Sequence, residues 1–234
     1  MKHPIAVVAV VFAFGALLFG LAFPTFALRD RLTINVEVDG QIRTGSSVIE
    51  ARWSMWPQGL SGLFGGGYGN CRPYGNVPLV DLGPHGVLLA SHGPTQQTPA
   101  DRAVSTCFLA IRAFSPGPLP LNGYAFTRWS LVKLSFLSAR TQLTPNNLPQ
   151  FIWLPDRNDP GSAMPVLASS FPLVIGPNVR LQSAWLETTN EPLSADLVKK
   201  LPWLGPLHAE QTKQIQLVPP DRFFLVTFSI LGMG

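Results

Sequence analysis

The sequence predicts a mostly β domain, either a β-sandwich or a β-rich α+β fold, preceded by one N-terminal transmembrane or signal helix. Three observations lead to this prediction. The stretch from Pro4 to Leu28 contains no charged side chain. Several later segments alternate apolar and polar residues, which is typical of half-buried strands. The chain also contains 21 glycines and 23 prolines, which indicates short elements joined by many turns.

The N-terminal apolar segment is long enough to cross a bilayer as a helix. About 20 apolar residues, each rising 1.5 Å, span roughly 30 Å of hydrocarbon, so the lipid bilayer is the predicted partner of residues 5–27. Two interpretations stay open: an uncleaved anchor over residues 1–28, and a signal peptide cleaved after Ala27. A reversed topology is a third, because Arg29 and Arg31 offset Lys2 across the segment.

The first two interpretations place the domain of residues 29–234 outside the cytoplasm. With an anchor, the body lies on the periplasmic face of a bacterial inner membrane. With cleavage, it is periplasmic or secreted. Without its first 27 residues the chain has 207 residues, with 16 basic and 13 acidic side chains and no basic cluster. We therefore predict one sizeable domain and no nucleic-acid partner.

The first predicted element of the body is a β-hairpin. Residues 32–38 alternate apolar and polar side chains, Asp39-Gly40 follows, and residues 41–53 continue as a second strand. Asp-Gly between alternating strands is a strong hairpin signal, since both residues tolerate positive φ. Gly45 is predicted to mark a bulge in the second strand.

The remaining elements are predicted from the same signals. Strands are expected at 77–82, 87–91, 124–137, 171–175, 179–188 and 223–230, with a Gly83–Gly86 turn joining the first two. A short helix is expected within 101–114, where a strand stays open, and another at 194–200 with Ser194 as its cap. Loops are expected at 58–75, which is Gly-rich, and at 143–165.

Two cysteines, Cys71 and Cys107, form an even pair. Outside the cytoplasm such a pair is compatible with one disulfide, and two buried free thiols are the alternative.

Three segments of the chain resemble a group of uncharacterised proteobacterial proteins. These are LTINVEVDGQIRTGSSVIEARW, the Asp159-Pro160 loop and TTNEPLSADLVKKLPWL. Proteins of this group begin with an apolar N-terminal helix and continue into a Gly-Ser-Ser-Val-Ile-Glu strand. The resemblance implies a membrane-anchored or envelope protein and brings no activity with it.

Two short patterns look catalytic or metal-binding but do not fit the chemistry. Ser130 and Lys133 match Ser-x-x-Lys of penicillin-binding proteins, but the other motifs of that class are missing and a predicted strand would point the pair to opposite faces. The run from Asp156 to Gly161 starts like a calcium loop, but position five is Pro160 and position twelve is Leu167. A plain Asx turn is favoured there.

Histidines and glycines give no recognisable site either. His85, His92 and His208 lack ligand spacing to one another and to the cysteines, and the 65–69 glycine run lacks the Gly-Lys-Ser/Thr that follows in phosphate-binding loops. No cofactor and no metal are predicted.

The leading hypothesis is therefore a non-enzymatic binding or structural module of the cell envelope, contacting lipid or another envelope protein. The candidate contact residues are Phe64 and Tyr68 of the Gly-rich loop, with Trp53 and Trp56, for which a core position is the alternative. The rival hypothesis is an envelope hydrolase whose site is assembled from distant residues. A deep pocket near His85, His92, Asp81 or Asp159 would favour the hydrolase.

Overall fold

Two antiparallel sheets form most of the molecule in the computed structural model, which describes residues 23–57, 69–92, 105–114 and 124–205. The predicted mostly β class is confirmed. The strands are β1 Thr25–Val38, β2 Gln41–Met55, β3 Gly69–Tyr74, β4 Leu79–Asp81, β5 Val87–Ala90, β6 Arg140–Gln142, β7 Phe151–Leu154, β8 Met164–Val166 and β9 Val179–Thr188. The helices are α1 Thr106–Phe114, α2 Tyr124–Ser135, α3 Phe171–Val174 and α4 Leu197–Lys200.

The strand order is β3-β2-β1-β9-β6 in the larger sheet and β4-β5-β7-β8 in the smaller one. The hairpin predicted around Asp39-Gly40 is confirmed, with both residues at positive φ and Val38 paired with Gln41. The second hairpin, β4 with β5, and the long strand β9 are confirmed as well.

The bulge predicted at Gly45 is wrong, since β1 and β2 pair there without interruption. A Cβ atom on Gly45 would lie 2.3 Å from the carbonyl oxygen of Leu79. The glycine is required because the backbone of β4 crosses the larger sheet at this point.

The inner face of the larger sheet carries the main core. Every second residue of β1 is buried, and the smaller sheet packs over the hairpin end while α1 and α2 pack at the end where β1 begins. The opposite face of the smaller sheet forms a second core with Leu197, Leu201 and Leu204 of the α4 region. The smaller sheet is therefore a middle layer, which explains why all four residues of β5 are buried.

Several predicted elements are wrong. Residues 124–135 form helix α2 instead of the predicted strand. Leu131 and Leu134 are three residues apart, so they share one face of the helix, and both are buried. Residues 171–174 form helix α3, with a proline in the first turn, where its missing N–H costs nothing. A helix is confirmed within 101–114, and residues 101–104 lie outside the described residues.

The boundaries of two predicted loops also differ. Residues 69–74 form β3, and 58–68 lie outside the described residues. Within 143–165 lie β7, which is mostly buried in the smaller sheet, and the first two residues of β8, which are exposed. Ser194 does not cap α4: its hydroxyl accepts a hydrogen bond from Val48 N at 2.9 Å, and the helix begins after Asp196. The strand predicted at 223–230 lies outside the described residues.

The N-terminal end of β1 overlaps the predicted membrane segment. Thr25–Leu28 belong to the strand, and Pro24 already accepts a backbone hydrogen bond from Met55 at 3.0 Å. Most of the predicted span, residues 5–22, lies outside the described residues. Within the described ranges, no helix has the length and apolar character needed to cross a membrane.

Candidate functional site

A cavity of about 300 Å³ opens at the end of the larger sheet where β1 begins. One wall is the stretch of β1 from Ala27 to Asp30, and the others come from α1, the end of α2 and the residues around the end of β9. This volume is at the lower end of the range for small-molecule sites. The other lining residues are Glu50, Ala110, Leu134, Ser135, Leu137, Ser138, Thr188, Thr189 and Asn190.

Asp30 places a carboxyl group in the apolar row of β1. Leu28, Leu32 and Ile34 share its face and are buried, and Asp30 itself is only 6% exposed. Among the described residues, none donates a hydrogen bond to the carboxyl group of Asp30 or forms an ion pair with it. Burial raises the pKa of Asp30 from its ordinary value of 3.8 to about 7, because low-dielectric surroundings disfavour the charged form.

The nearest charged groups are already paired with one another. Arg29 donates to Glu50 through Nε at 3.0 Å and through Nη2 at 2.6 Å, and Arg52 donates to the other oxygen of Glu50. A further nitrogen of Arg29 donates to the carbonyl of Glu191 at 3.1 Å. Burial alone would raise the pKa of Glu50, but the two guanidinium groups outweigh it and lower that pKa below its usual value. Glu50 is therefore a fixed ionic anchor, and Arg29 is not available to Asp30.

The rest of the lining offers hydroxyl and amide oxygens. Ser135 donates to the carbonyl of Leu131 at 2.8 Å, and Thr189 accepts from Glu191 N at 3.2 Å. Thr188 accepts from Ala139 N at 2.9 Å. A hydroxyl oxygen has two lone pairs, so each of these groups keeps acceptor capacity for a ligand.

The predicted contact residues lie apart from this cavity. Trp53 is 6% exposed and packs edge-to-face on Phe108 at 5.2 Å, which is the core position that the sequence analysis kept as the alternative. Trp56 is half-buried and lines a separate open groove with Arg52, Arg72 and Tyr74. Phe64 and Tyr68 lie outside the described residues.

Cys71 of β3 and Cys107 of α1 form a disulfide, with their Cα atoms 6.0 Å apart. The bond ties the edge of the larger sheet to the helix whose Ala110 lines the cavity. It therefore restrains one wall of the candidate site.

The structure does not gather the histidines and the acidic residues predicted for a hydrolase. His85 lies 3.5 Å from Asp39, while His92 is buried between Thr106 and the carbonyl of Gly75. Asp81 faces Arg157 at 3.4 Å. The described residues contain no cluster of metal-ligating side chains, and His208 lies outside them.

The two motif-like segments have structural roles. Asp156 and Asp159 each accept a hydrogen bond from the backbone two residues on, at 2.9 and 2.8 Å, which confirms the Asx turns. Ser130 and Lys133 lie on helix α2 rather than on a strand, yet Ser130 is buried while Lys133 is exposed with its ammonium over Trp129. They do not form a nucleophile–base pair.

Asp30 is the functional candidate that sequence reasoning missed. In the sequence analysis, Arg29 and Arg31 are treated as charges that flank a membrane segment, and the strand begins at Leu32. The available signal was the phase of the alternation, since Leu28, Asp30 and Leu32 are two residues apart and face the same way. A charge in phase with an apolar row marks a buried group.

Comparisons with known proteins add no relative. The chain matches no protein-family model, and neither the curated proteins nor the solved structures provide a significant match.

Proposed function

We propose that this chain is a binding module of the cell envelope, held at the extracytoplasmic face of a membrane by its N-terminal segment, with the Asp30 cavity as its ligand site. The observation that carries the proposal is Asp30, a nearly buried carboxyl without a partner among the described residues, lining an open cavity. Buried polar groups are normally hydrogen-bonded, and the carboxyl of Asp30 is open to the cavity, where it can accept a hydrogen bond from a bound molecule. A ligand that satisfies the carboxyl accounts for its presence.

The position of the cavity supports action close to the membrane. β1 begins at Thr25, within the last residues of the apolar segment, and Asp30 is the sixth residue of the strand. At about 3.3 Å per residue, Asp30 lies roughly 17 Å along the strand from Thr25. An anchor ending near Phe23 would hold the cavity within reach of lipid headgroups and of membrane-bound partners.

The disulfide supports an extracytoplasmic location. The Cys71–Cys107 bond joins two elements of the core, and such bonds persist mainly in oxidising compartments.

A hydrolase is the second candidate, and one observation favours it. Asp30 and Glu50 line the same cavity with pKa values shifted in opposite directions, as in enzymes that use one acid and one base. Binding is better supported, because both oxygens of Glu50 are held by arginines. In addition, the described lining contains no histidine, cysteine or lysine.

The location is tested with single cysteines introduced at exposed positions of the full chain. We expect Ser138→Cys at the cavity and Ser46→Cys, on the outer face of β2, to react with a membrane-impermeant maleimide in intact spheroplasts. Reaction of both only after lysis would place the body in the cytoplasm and overturn the location.

Occupancy of the cavity is tested with Ser138→Trp, which should obstruct the opening from an exposed position. Ser46→Trp, at an exposed position on the outer face of β2 that does not line the cavity, is the matched control. Native mass spectrometry of full-length protein, purified in dodecyl maltoside and titrated with small-molecule fragments, should show complexes that Ser138→Trp loses and Ser46→Trp keeps. Equal complex formation by both variants would contradict binding in the cavity.

A further inference from the structure

We propose that the Asp30 cavity binds the primary ammonium group of an organic amine, with the carboxylate of Asp30 as its counter-ion. This inference rests on the proposed function and names the chemical class of the ligand. It follows from three features of the site: its charge, its acceptors and its apolar wall.

The charge of the site favours a cation. Three charged side chains line the cavity in the described part of the chain, and Arg29 and Glu50 neutralise each other. Arg52, which also pairs with Glu50, is exposed to solvent and does not line the cavity. Asp30 is therefore the charged lining side chain that has no counter-ion of its own inside the cavity. An anionic ligand would add a second negative charge to a buried carboxylate, which low-dielectric surroundings penalise.

The acceptors suit an ammonium group, which has three N–H donors and no acceptor. The carboxylate of Asp30 supplies one strong acceptor, and Ser135, Thr188 and Thr189 supply hydroxyl oxygens from two other sides of the cavity. Asn190 adds an amide oxygen at the same wall. Charge-assisted hydrogen bonds to an ionised carboxylate are the strongest of these contacts.

The apolar wall suits a short alkyl chain on the amine. Ala110, Leu134 and Leu137 line the side of the cavity formed by α1 and α2. A volume of about 300 Å³ is at the lower end of the range for small-molecule sites. It accommodates an amine with several carbons and excludes a bulky polycation.

Ionisation of Asp30 should control binding. Its pKa of about 7 in the free protein means that each pH unit below 7 should weaken amine binding about tenfold. Among the described residues, the other charged groups near Asp30 are paired or lie outside the cavity lining. Arg29 is paired with Glu50, and Arg31 with Glu191. The charged residues of the neighbouring elements that do not line the cavity are Glu187, Arg140, Arg112, Arg128 and Lys133.

The test compares pentan-1-amine with pentan-1-ol, which has a similar shape and no charge. Full-length protein in dodecyl maltoside is titrated at pH 8 while the methyl NMR signals of Leu134 and Leu137 are followed. We expect saturable shifts with the amine and at least tenfold weaker binding of the alcohol. Asp30→Asn should reduce amine affinity at least tenfold, whereas Glu37→Gln, the same change on the outer face of β1, should leave it unaltered.

Equal affinity for the amine and the alcohol, or an Asp30→Asn variant that is folded by circular dichroism and still binds the amine normally, would overturn the inference. Binding of alcohols or carboxylates without amines would overturn the ligand class and leave the proposed function standing. Absence of shifts with amine, alcohol and carboxylate probes alike would overturn both.

The source of the amine is distinguished by two further probes. Dihexanoyl phosphatidylethanolamine and free ethanolamine share the ammonium group, and dihexanoyl phosphatidylglycerol lacks it. Tighter binding of the ethanolamine lipid than of ethanolamine would indicate a lipid headgroup, and the reverse would indicate a soluble amine. Equal binding of the two lipids would contradict recognition of the ammonium.

Discussion

Asp30 should make the fold less stable as the pH rises. Its carboxyl has an ordinary pKa of 3.8 and a pKa of about 7 in the folded protein, so the folded state binds more protons between these values. The cost of burying the charge is absent below pH 4 and complete above pH 7. Asp30→Asn should therefore raise the free energy of unfolding at pH 8 by on the order of 4 kcal/mol, and by less at pH 5.

The comparison that checks this is urea unfolding of Asp30→Asn and Glu37→Gln at both pH values. Glu37 lies on the outer face of the same strand, half-buried, and its substitution should change stability little. An Asp30→Asn variant no more stable than the original at pH 8 would mean that the carboxyl is satisfied within the protein. A gain in stability together with a loss of binding would mark Asp30 as retained for function.

His92 gives the opposite dependence in acid. Its Nε2–H donates to the carbonyl of Gly75 at 2.8 Å, and Nδ1 accepts from the Thr106 hydroxyl at 2.9 Å. Burial lowers the pKa of His92 from 6.5 to about 4, although the bond to Gly75 opposes the shift. The unfolded chain binds a proton first as the pH falls from 6.5 to 4, so folding should lose on the order of 3 kcal/mol over that window.

Unfolding of His92→Gln at pH 7 and pH 4.5 tests this expectation. The variant should be less stable at pH 7 and lose less stability on acidification than the original protein. His85→Gln, which makes the same change at a partly exposed histidine, is the matched control. An unaltered acid dependence in His92→Gln would show that His92 does not cause it.

At the scale of elements, the close approach of the two sheets depends on Gly45. A methyl group there would meet the backbone of Leu79 at 2.3 Å, and backbone cannot rotate away as a side chain can. Gly45→Ala should lower the free energy of unfolding by roughly 1–3 kcal/mol. Gly205→Ala, whose new methyl would make an ordinary 3.5 Å contact with Val198, is the control; equal stability of the two variants would contradict the argument.

Elements whose conformation is set by neighbouring residues in the sequence could be predicted. Elements whose conformation depends on contacts with distant parts of the chain could not. Asp39-Gly40 and the alternation around it specify the first hairpin, because turn geometry and period are local properties. Helix α2 was predicted as a strand because its aromatic and β-branched residues suit both states. Its helical form brings Leu131 and Leu134 against the core at the start of β1, a contact that one segment does not reveal.

The candidate site belongs to the scale of the whole molecule, which is why sequence reasoning missed it. Its walls come from β1, α1, α2 and the end of β9, over 160 residues apart at the extremes. The fold is needed to see that Thr188 of β9 is the strand partner of Asp30 and that the guanidinium group of Arg29 binds Glu50 and not Asp30. The sequence already shows that Asp30 alternates in step with the buried residues Leu28 and Leu32. It does not show that, among the described residues, the carboxyl has no hydrogen-bond or ion-pair partner.

The strand start at Thr25 bears on how the protein is held at the membrane. Cleavage after Ala27 would remove three residues of β1, which pair with Ser54, Trp53 and Arg52, and would cut into the wall of the cavity. We therefore expect the N-terminal segment to be retained. The intact mass of protein from the membrane fraction should correspond to a chain that begins at Met1. Ala27→Gln, which removes the small residue that a signal peptidase needs, should change neither the N-terminal residue nor the fraction in which the protein is recovered. A soluble product that begins at Leu28, and that is no longer formed by Ala27→Gln, would instead show that the protein is secreted. The cavity would then be lined by a β1 strand that lacks Thr25, Phe26 and Ala27.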